Sequence, residues 1–478
     1  MLFPTAAFAV FFVTAFTVNW LLRPHVRVWR WALIGLSLYF LAWADGRFAV
    51  ILVVTAAVTW AVARATHGAM RDDQPTLESR RLVRAAVAVD LVALAVFRYH
   101  DFFVESFVDA LDTIGLHPTP PVLDILVPLG VSFTTFRAIS YVVDVGRGEA
   151  EPLELADVLL YLAFFPNLVA GPIARVGELV PQFHRRPDPR RVPATEAFVL
   201  IGCGLFKKVV VASYLGTELV DPVFGVPGAH SGRELLVGVY GYAVQIYADF
   251  SGYTDIALGC ALLLGIRLPQ NFDAPYRSLS VREFWRRWHI TLGRWLRDYV
   301  YVPLGGSRDG TSTTYRNLMV TMLLGGLWHG ADWRFVVWGG LHGAFLVGER
   351  VASGWWANQV SAPVAPRPVT VVARWFLTFN LVCLAWIFFR ADSTGAAFAI
   401  IGRVATAPGP TSLVTGLAVA TIVAALASQL VPEHCTAALR ARFSAVAPAG
   451  QAALLAGALT LIAVLGPDGV APFIYFRF

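Results

Sequence analysis

His289 and His329 are the residues of this chain best suited to chemistry. His329 closes the run Leu318-Met319-Val320-Thr321-Met322-Leu323-Leu324-Gly325-Gly326-Leu327-Trp328, and Phe335-Val336-Val337-Trp338 follows, so its imidazole belongs in or beside a hydrocarbon layer. Low dielectric disfavours the imidazolium, which keeps the ring neutral and able to take a proton. That is the state a general base needs. A histidine packing two helices through a hydrogen bond suits the same position, and the flanking residues alone leave both uses open. Gly325 and Gly326 allow close backbone approach of a helix or of a substrate.

His289 ends Phe284-Trp285-Arg286-Arg287-Trp288-His289. Projected at about 100° per residue, 284–300 reads as one helix. Trp295, Trp288, Tyr299, Leu292, Trp285 and Leu296 fall on one arc, and Arg286, Arg297, Arg294, Arg287 and Asp298 on the other. The expectation is a basic amphipathic helix at the cytoplasmic interface, rings at headgroup level and guanidinium groups toward phosphates or an anionic ligand. His289 lies near the edge of the apolar arc, as a packed residue or as part of a site. Asp249 and Asp255, in Ala248-Asp249-Phe250-Ser251-Gly252-Tyr253-Thr254-Asp255, are acids inside an apolar run, hence functional candidates, with pairing to arginines of 282–297 as the structural use.

His184-Arg185-Arg186-Pro187-Asp188 reproduces a His-x-x-x-Asp acyltransferase spacing, but in a Pro- and Arg-rich loop, where chance explains it. No Gly-x-Ser-x-Gly, His-Glu-x-x-His or Walker A pattern occurs, which removes the main support for a serine hydrolase, a zincin or an ATP-driven pump. Cys203, Cys260, Cys383 and Cys435 lie far apart, so neither a metal site nor a disulfide framework is expected.

The elements that position these residues are membrane helices. Hydrophobic residues make up 57% of the chain, charged ones 15%, and the mean hydropathy is +0.61, well beyond a soluble domain at roughly 25% charged. Spans are expected near 5–22, 31–44, 48–63, 82–98 and 122–143, then long apolar runs at 233–266, 317–328, 333–347, 370–389, 411–431 and 449–466. Residues 153–171, with Pro166 and Gly171-Pro172, read as a re-entrant or broken helix, and Lys207-Lys208 interrupt 195–215. The apolar start has no basic n-region or cleavage site and reads as a retained first helix. The fold class expected is an all-α polytopic membrane protein with one integral membrane domain over 1–478.

The net charge of +6 does not point to nucleic acid. Arg23, Arg27 and Arg30, and later Arg64, Arg71, Arg80, Arg81 and Arg84, occupy alternate connections, while Asp101, Glu105, Asp109 and Asp112 read as an acidic loop. By the positive-inside rule the arginine loops are cytoplasmic and the N-terminus is outside. No internal repeat is evident, which weighs mildly against a repeat-built transporter.

The ordered set Phe284-Trp285-Arg286-Arg287-Trp288-His289, Arg297-Asp298-Tyr299, Pro303-Leu304-Gly305-Gly306 and Leu324-Gly325-Gly326-Leu327-Trp328-His329-Gly330-Ala331 resembles the membrane-bound O-acyltransferases, in particular their bacterial alginate O-acetyltransferase branch. The likeness extends through Ser132-Phe133 to Asp144, Phe165-Pro166 to Ile173, Gly204 to Lys208, Gln245 to Asp255, Pro269 to Tyr276, Phe388-Phe389-Arg390-Ala391 and Phe473-Ile474-Tyr475-Phe476. It implies about 11–12 transmembrane helices with re-entrant and interfacial helices around a central tunnel: N-terminal helices over 1–122, a core over 125–390 and C-terminal helices over 391–478.

By the same resemblance His329 is the essential histidine and His289 the supporting one, with His342 at a further family position that packing also explains. Acyl transfer from a thioester to a hydroxyl needs a base and a stabilised oxyanion, and His329 would be the base. Trp285, Arg286, Trp288, Arg297, Asp298, Asp249, Asp255 and Trp328 are the candidate substrate-binding residues. The helix arginines would meet coenzyme A phosphates, an acidic carrier protein or lipid headgroups. No bound cofactor is implied. The implied donor is acetyl-coenzyme A or an acyl carrier protein thioester, and the acceptor an exported polysaccharide or cell-wall polymer, reached directly or through an extracytoplasmic SGNH-type partner at the bacterial cell membrane. D-Alanyl transfer to teichoic acids is the family alternative. A proton-coupled transporter or flippase, using Asp249, Asp255 and the histidines as a relay, and a structural scaffold are the alternatives from other classes.

Overall fold

The computed structural model describes residues 3–119, 128, 130–359, 367–466 and 474. Among them every regular element is helical. Two compact units divide the chain: Met1–Ala197 with Ala257–Pro269, and Phe198–Ile256 with Gln270–Phe478.

The first unit contains α1 (Ala6–Leu22), α2 (Val26–Ala42), α3 (Gly46–Gly68), α4 (Leu77–Asp112), α5 (Val131–Gly146), α6 (Leu155–Ala163), α7 (Phe165–Leu168) and α8 (Val176–Phe183). Thr5, Asp45 and Thr76 cap α1, α3 and α4 by accepting from the amides of Phe8, Arg47 and Ser79. Phe8, Phe11, Phe40 and Phe165 form a buried seam between α1, α2 and α7. The expected break within 153–171 is present. α6 stops at Phe164 (φ −49°, ψ 105°), and Pro166 falls in the first turn of α7, where its missing N–H is not needed. Arg137 satisfies the backbone carbonyl of Tyr161, its Nη1 donating at 2.9 Å, and also donates to the side-chain oxygen of Asn167 at 3.3 Å.

The segment from Asp101 to Asp112 is not a loop. It is the C-terminal part of the 36-residue α4. Asp101, Glu105 and Asp109 recur every fourth residue, Asp112 follows three on, all four are exposed, and nothing breaks the helix before Gly115 at φ +81°. Of the 122–143 run, only 128 and 130 onward are described, and of the C-terminal motif only Ile474; the rest of both lies outside the described residues.

Beyond α9 (Ala194–Leu205) the helix continues through π-helical turns at Phe206–Ala212 and Gly216–Val220, around α10 (Ser213–Leu215), into α11 (Asp221–Gly225). The π-turns begin beside the two lysines and let both meet α12 (Gly232–Leu263). Lys208 Nζ lies 2.5 Å from Asp249 Oδ1 and Lys207 Nζ 2.6 Å from Asp255 Oδ2. Neither acid pairs with the 282–297 arginines as expected, because the two lysines already occupy them. Gly204 and Gly252 permit the close approach: a Cβ on either would sit 2.6–2.7 Å from the other's carbonyl oxygen.

α13 (Val281–Arg287), α14 (Ile290–Leu296), α15 (Thr311–His329), α16 (Trp333–Gln359) and α17 (Pro368–Arg390) build the rest of the core, followed by α18 (Thr394–Thr406), α19 (Gly416–Ser428), α20 (Glu433–Ala445) and α21 (Pro448–Leu465). α15 and α16 form a hairpin whose facing glycines leave no room for a methyl: a Cβ on Gly326 would collide with Phe335 O, and one on Gly339 with Met322 O.

Among the described residues four helices are long and apolar enough to cross a bilayer: α3, Ala194–Gly225, α17 and α21. α1, α18 and α19 are apolar but shorter. The eleven or twelve crossings expected count apolar runs such as α12 and α15 as well, whose Asp249, Asp255, Thr314 and Asn317 lower their apolarity.

Candidate active site

His329 is the last residue of α15 and is 1% exposed. The turn into α16 is fixed by Asp332, whose Oδ1 accepts from Arg334 N at 2.8 Å, while Arg334 Nη1 donates to Ala391 O. A cage of rings follows from that turn. Trp338 stands edge-on to His329 at 4.8 Å, Trp328 at 4.9 Å and Phe389 at 5.2 Å between ring centres.

The continuous 284–300 helix of the projection does not form. α13 ends at Arg287, Trp288 is extended (φ −98°, ψ 128°), and His289 is left-handed (φ 43°, ψ 54°) before α14 begins. The physical reason is Asn271. Its backbone oxygen accepts from Ile290 N at 2.9 Å, and its side-chain oxygen accepts from Thr291 N at 3.2 Å and Thr291 Oγ1 at 2.9 Å. Asp273 N, two residues on, donates to Arg287 O at 2.9 Å. This segment caps both helices and offsets the cost of a left-handed non-glycine residue, of order 1–3 kcal/mol. Trp288 and Trp295 are buried within the protein rather than displayed on its surface. Trp288 is fully buried against Phe272, Phe284 and Trp386.

His289 is fully buried and sits edge-on to Phe250 at 4.8 Å and to Trp328 at 5.8 Å. Trp328 therefore touches both histidines. Asn271 Oδ1 already accepts from a backbone amide, so His289 Nδ1, 3.1 Å away, must donate to it, leaving Nε2 as the basic nitrogen. The residue joins two seven-residue helices too short to span a bilayer, and burial pushes its pKa down to about 3.

His342, on α16, is fully buried as well. Its Nδ1 accepts from Trp285 Nε1 at 3.2 Å, and it stands edge-on to Trp338 at 4.7 Å. The three histidines thus share one aromatic cluster.

A cavity of about 1200 Å³ opens beside the cluster. Arg282, Arg286, Arg294, Arg297 and Arg350 line it, with Tyr301, Tyr315, Thr311 and Ser307, against a single carboxylate, Glu349. Arg282, Arg286 and Arg350 form no ion pair among the described residues, so the cavity carries excess positive charge toward an anion. Trp285 lines it, and its ring lies 5.7 Å from that of Trp338. Of the candidate contacts, Trp285, Arg286 and Arg297 line the cavity, Asp298 pairs with Arg297 at 2.6 Å, and Trp288 and Trp328 lie in the aromatic cluster. Asp249 and Asp255 are engaged with the lysines and are absent from the lining. His184 Nε2 meets Asp157 Oδ2 at 3.0 Å and its spaced partner Asp188 caps Arg190 instead.

Sequence reasoning missed Asn271, Trp338, Arg282 and Arg350. Asn271 carries no periodic signal. Arg350, late in the apolar α16, was the one legible hint, since a charge there needs a reason.

A family model for the membrane-bound O-acyltransferases matches residues 39–389. The chain is 39% identical over 403 residues to a "probable alginate O-acetylase" of Azotobacter vinelandii, covering 83% of this chain and 77% of that protein. It is 42% identical over 329 residues to the protein of the same description in Pseudomonas aeruginosa, covering 68% of this chain and 60% of that one. With a "peptidoglycan O-acetyltransferase" of Helicobacter pylori it shares 34% over 393 residues, covering 76% and 71%. The family match runs through all three histidines and their cage, and the chain belongs to the membrane-bound O-acyltransferases: it is an O-acyltransferase of the membrane.

Proposed function

We propose that the protein moves an acetyl group from a cytoplasmic thioester to a hydroxyl of an exported polysaccharide or cell-wall polymer, with His329 as the general base. The observation that carries this is the contact chain from the arginine-lined cavity to His329 through Trp285 and Trp338. The cavity takes the anionic donor, acetyl-coenzyme A or a loaded carrier protein, with its arginines on phosphates. His329 removes the acceptor hydroxyl proton as that oxygen attacks the thioester carbonyl carbon. Collapse of the tetrahedral oxyanion breaks the C–S bond, and the imidazolium returns the proton to the thiolate. His289 is the second site residue, held neutral with Nε2 as its basic nitrogen. The alginate and peptidoglycan acetylating relatives support a polymer acceptor, reached directly or through an extracytoplasmic SGNH-type partner. The protein acts as a multi-pass protein of the bacterial cell membrane.

The test is acetyl transfer by purified protein from labelled acetyl-coenzyme A, and separately from loaded carrier protein, to polymer acceptors. His329→Ala is expected to lose about 10²- to 10⁴-fold in rate. Equal labelling by wild type and variant would sink the assignment. A labelled D-alanine donor arm distinguishes aminoacyl transfer. A deletion strain that loses no ester from wall or exopolysaccharide would favour a transporter instead.

A further inference from the structure

We infer that Trp285, held in place by His342, is the wall that restricts this enzyme to short acyl groups, so that Trp285 determines donor specificity and His342 is a positioning residue acting through it. The inference rests on the cavity being the thioester site. Trp285 is half-buried and forms part of the cavity lining, and it packs 5.7 Å from Trp338, a ring absent from the lining that touches His329. An acyl group advancing from the cavity toward His329 meets the Trp285 indole first, and each added methylene must displace ring atoms in an interior with little free space.

The indole is not free to turn. Its N–H is donated to His342 Nδ1, and His342 is clamped edge-on to Trp338 at 4.7 Å and parallel to Phe284 at 6.3 Å. Because Nδ1 accepts, neutral His342 carries its proton on Nε2, which is buried without a hydrogen-bond partner among the described residues. A phenylalanine or leucine would fill the same space with no unmet donor, so packing alone does not account for an imidazole at 342. The Trp285 hydrogen bond does.

The experiment is a chain-length series of acetyl-, butyryl- and octanoyl-coenzyme A with full-length protein in detergent, comparing kcat/KM for wild type, Trp285→Ala, Trp285→Leu, Trp285→Phe, His342→Leu, His342→Gln and the Trp285→Phe/His342→Leu double variant. Wild type is expected to prefer acetyl. Trp285→Ala or Trp285→Leu, whichever is obtained folded, should raise the octanoyl-to-acetyl ratio roughly 10- to 100-fold, the range that pocket methylenes supply. His342→Leu should shift the ratio in the same direction as Trp285→Phe and less far, the double variant should add nothing to Trp285→Phe, which has no N–H left to hold, and His342→Gln, which keeps an acceptor, should return toward wild type. An unchanged chain-length ratio in the smaller Trp285 variants overturns the inference while leaving acetyl transfer standing. Additive effects at 285 and 342 overturn the role of His342. A wild type that transfers nothing from any thioester overturns the proposed function, and this inference falls with it.

Discussion

Replacing Asn271 tests whether one side chain sets the geometry around His289. Its oxygen accepts from Thr291 N, Thr291 Oγ1 and His289 Nδ1, all within 3.2 Å, in a site where Asn271 and His289 are fully buried. The Thr291 hydroxyl can rotate to another acceptor; the amide and the imidazole N–H cannot. Two buried donors left unmet at about 1–3 kcal/mol each give a loss of roughly 2–6 kcal/mol for Asn271→Ala. Part of that would be relieved by letting 288–290 relax, which displaces His289, and a shift near 1 Å at a reacting site costs about 10²-fold in rate. Thermal melting in detergent and acetyl transfer on the same samples measure both effects. Asn271→Asp keeps an acceptor for all three donors, so it should hold the fold better than Asn271→Ala while placing a carboxylate against His289 and favouring its charged form. If Asn271→Ala melts like wild type and turns over normally, the junction is held by something else and the account of why the helix breaks there is wrong.

Other consequences can be checked with the same two measurements. Lys208→Ala leaves Asp249 buried without its cation and should destabilise by about 3–5 kcal/mol, whereas Lys208→Met with Asp249→Leu should recover most of that; equal melting of all three would refute the ion-pair reading. Gly330→Ala puts a methyl into the Phe335 ring at an extended backbone position, so the cost is overpacking, about 1–3 kcal/mol, and because Phe335 packs on Phe389 of the His329 cage the loss of activity should exceed the loss of stability. Arg286→Ala and Arg350→Ala should each raise the donor KM roughly two- to fivefold, less at high salt, with melting unchanged; a salt-independent effect would argue against an anion in the cavity.

The apolar runs were legible because lipid demands them, and α1, α2, α3, α12 and α17 lie where hydropathy puts them. The break at Phe164 was legible through Pro166, whose missing N–H is a local fact. What periodicity could not show was anything imposed from a distance. A 3.6-residue projection of 284–300 finds a coherent helix because the helix propensity there is real; Asn271 outbids it with hydrogen bonds that no property of 284–300 encodes. The same limit governs the partners of Asp249 and Asp255. Nearby arginines were plausible by charge, but the adjacent Lys207 and Lys208 reach both acids because π-turns widen the helix and Gly204 and Gly252 bring it close to α12. The acidic stretch after Arg98 was misread for the opposite reason: exposed charges look like a loop when composition is weighed without the fourfold spacing that keeps them on a helix. The site divides along the same line. Both histidines announced themselves as polar groups in apolar surroundings, yet the rings Trp338 and Phe389 around His329, the ring of Phe250 beside His289, the asparagine that fixes one tautomer, and the arginines that make the cavity basic come from separate segments and meet only in the tertiary fold. A buried imidazole is thus visible in a sequence, whereas the environment that makes it a base or a packing residue is a property of the tertiary fold, and substitutions at Asn271 or Trp285 probe that environment without touching His329.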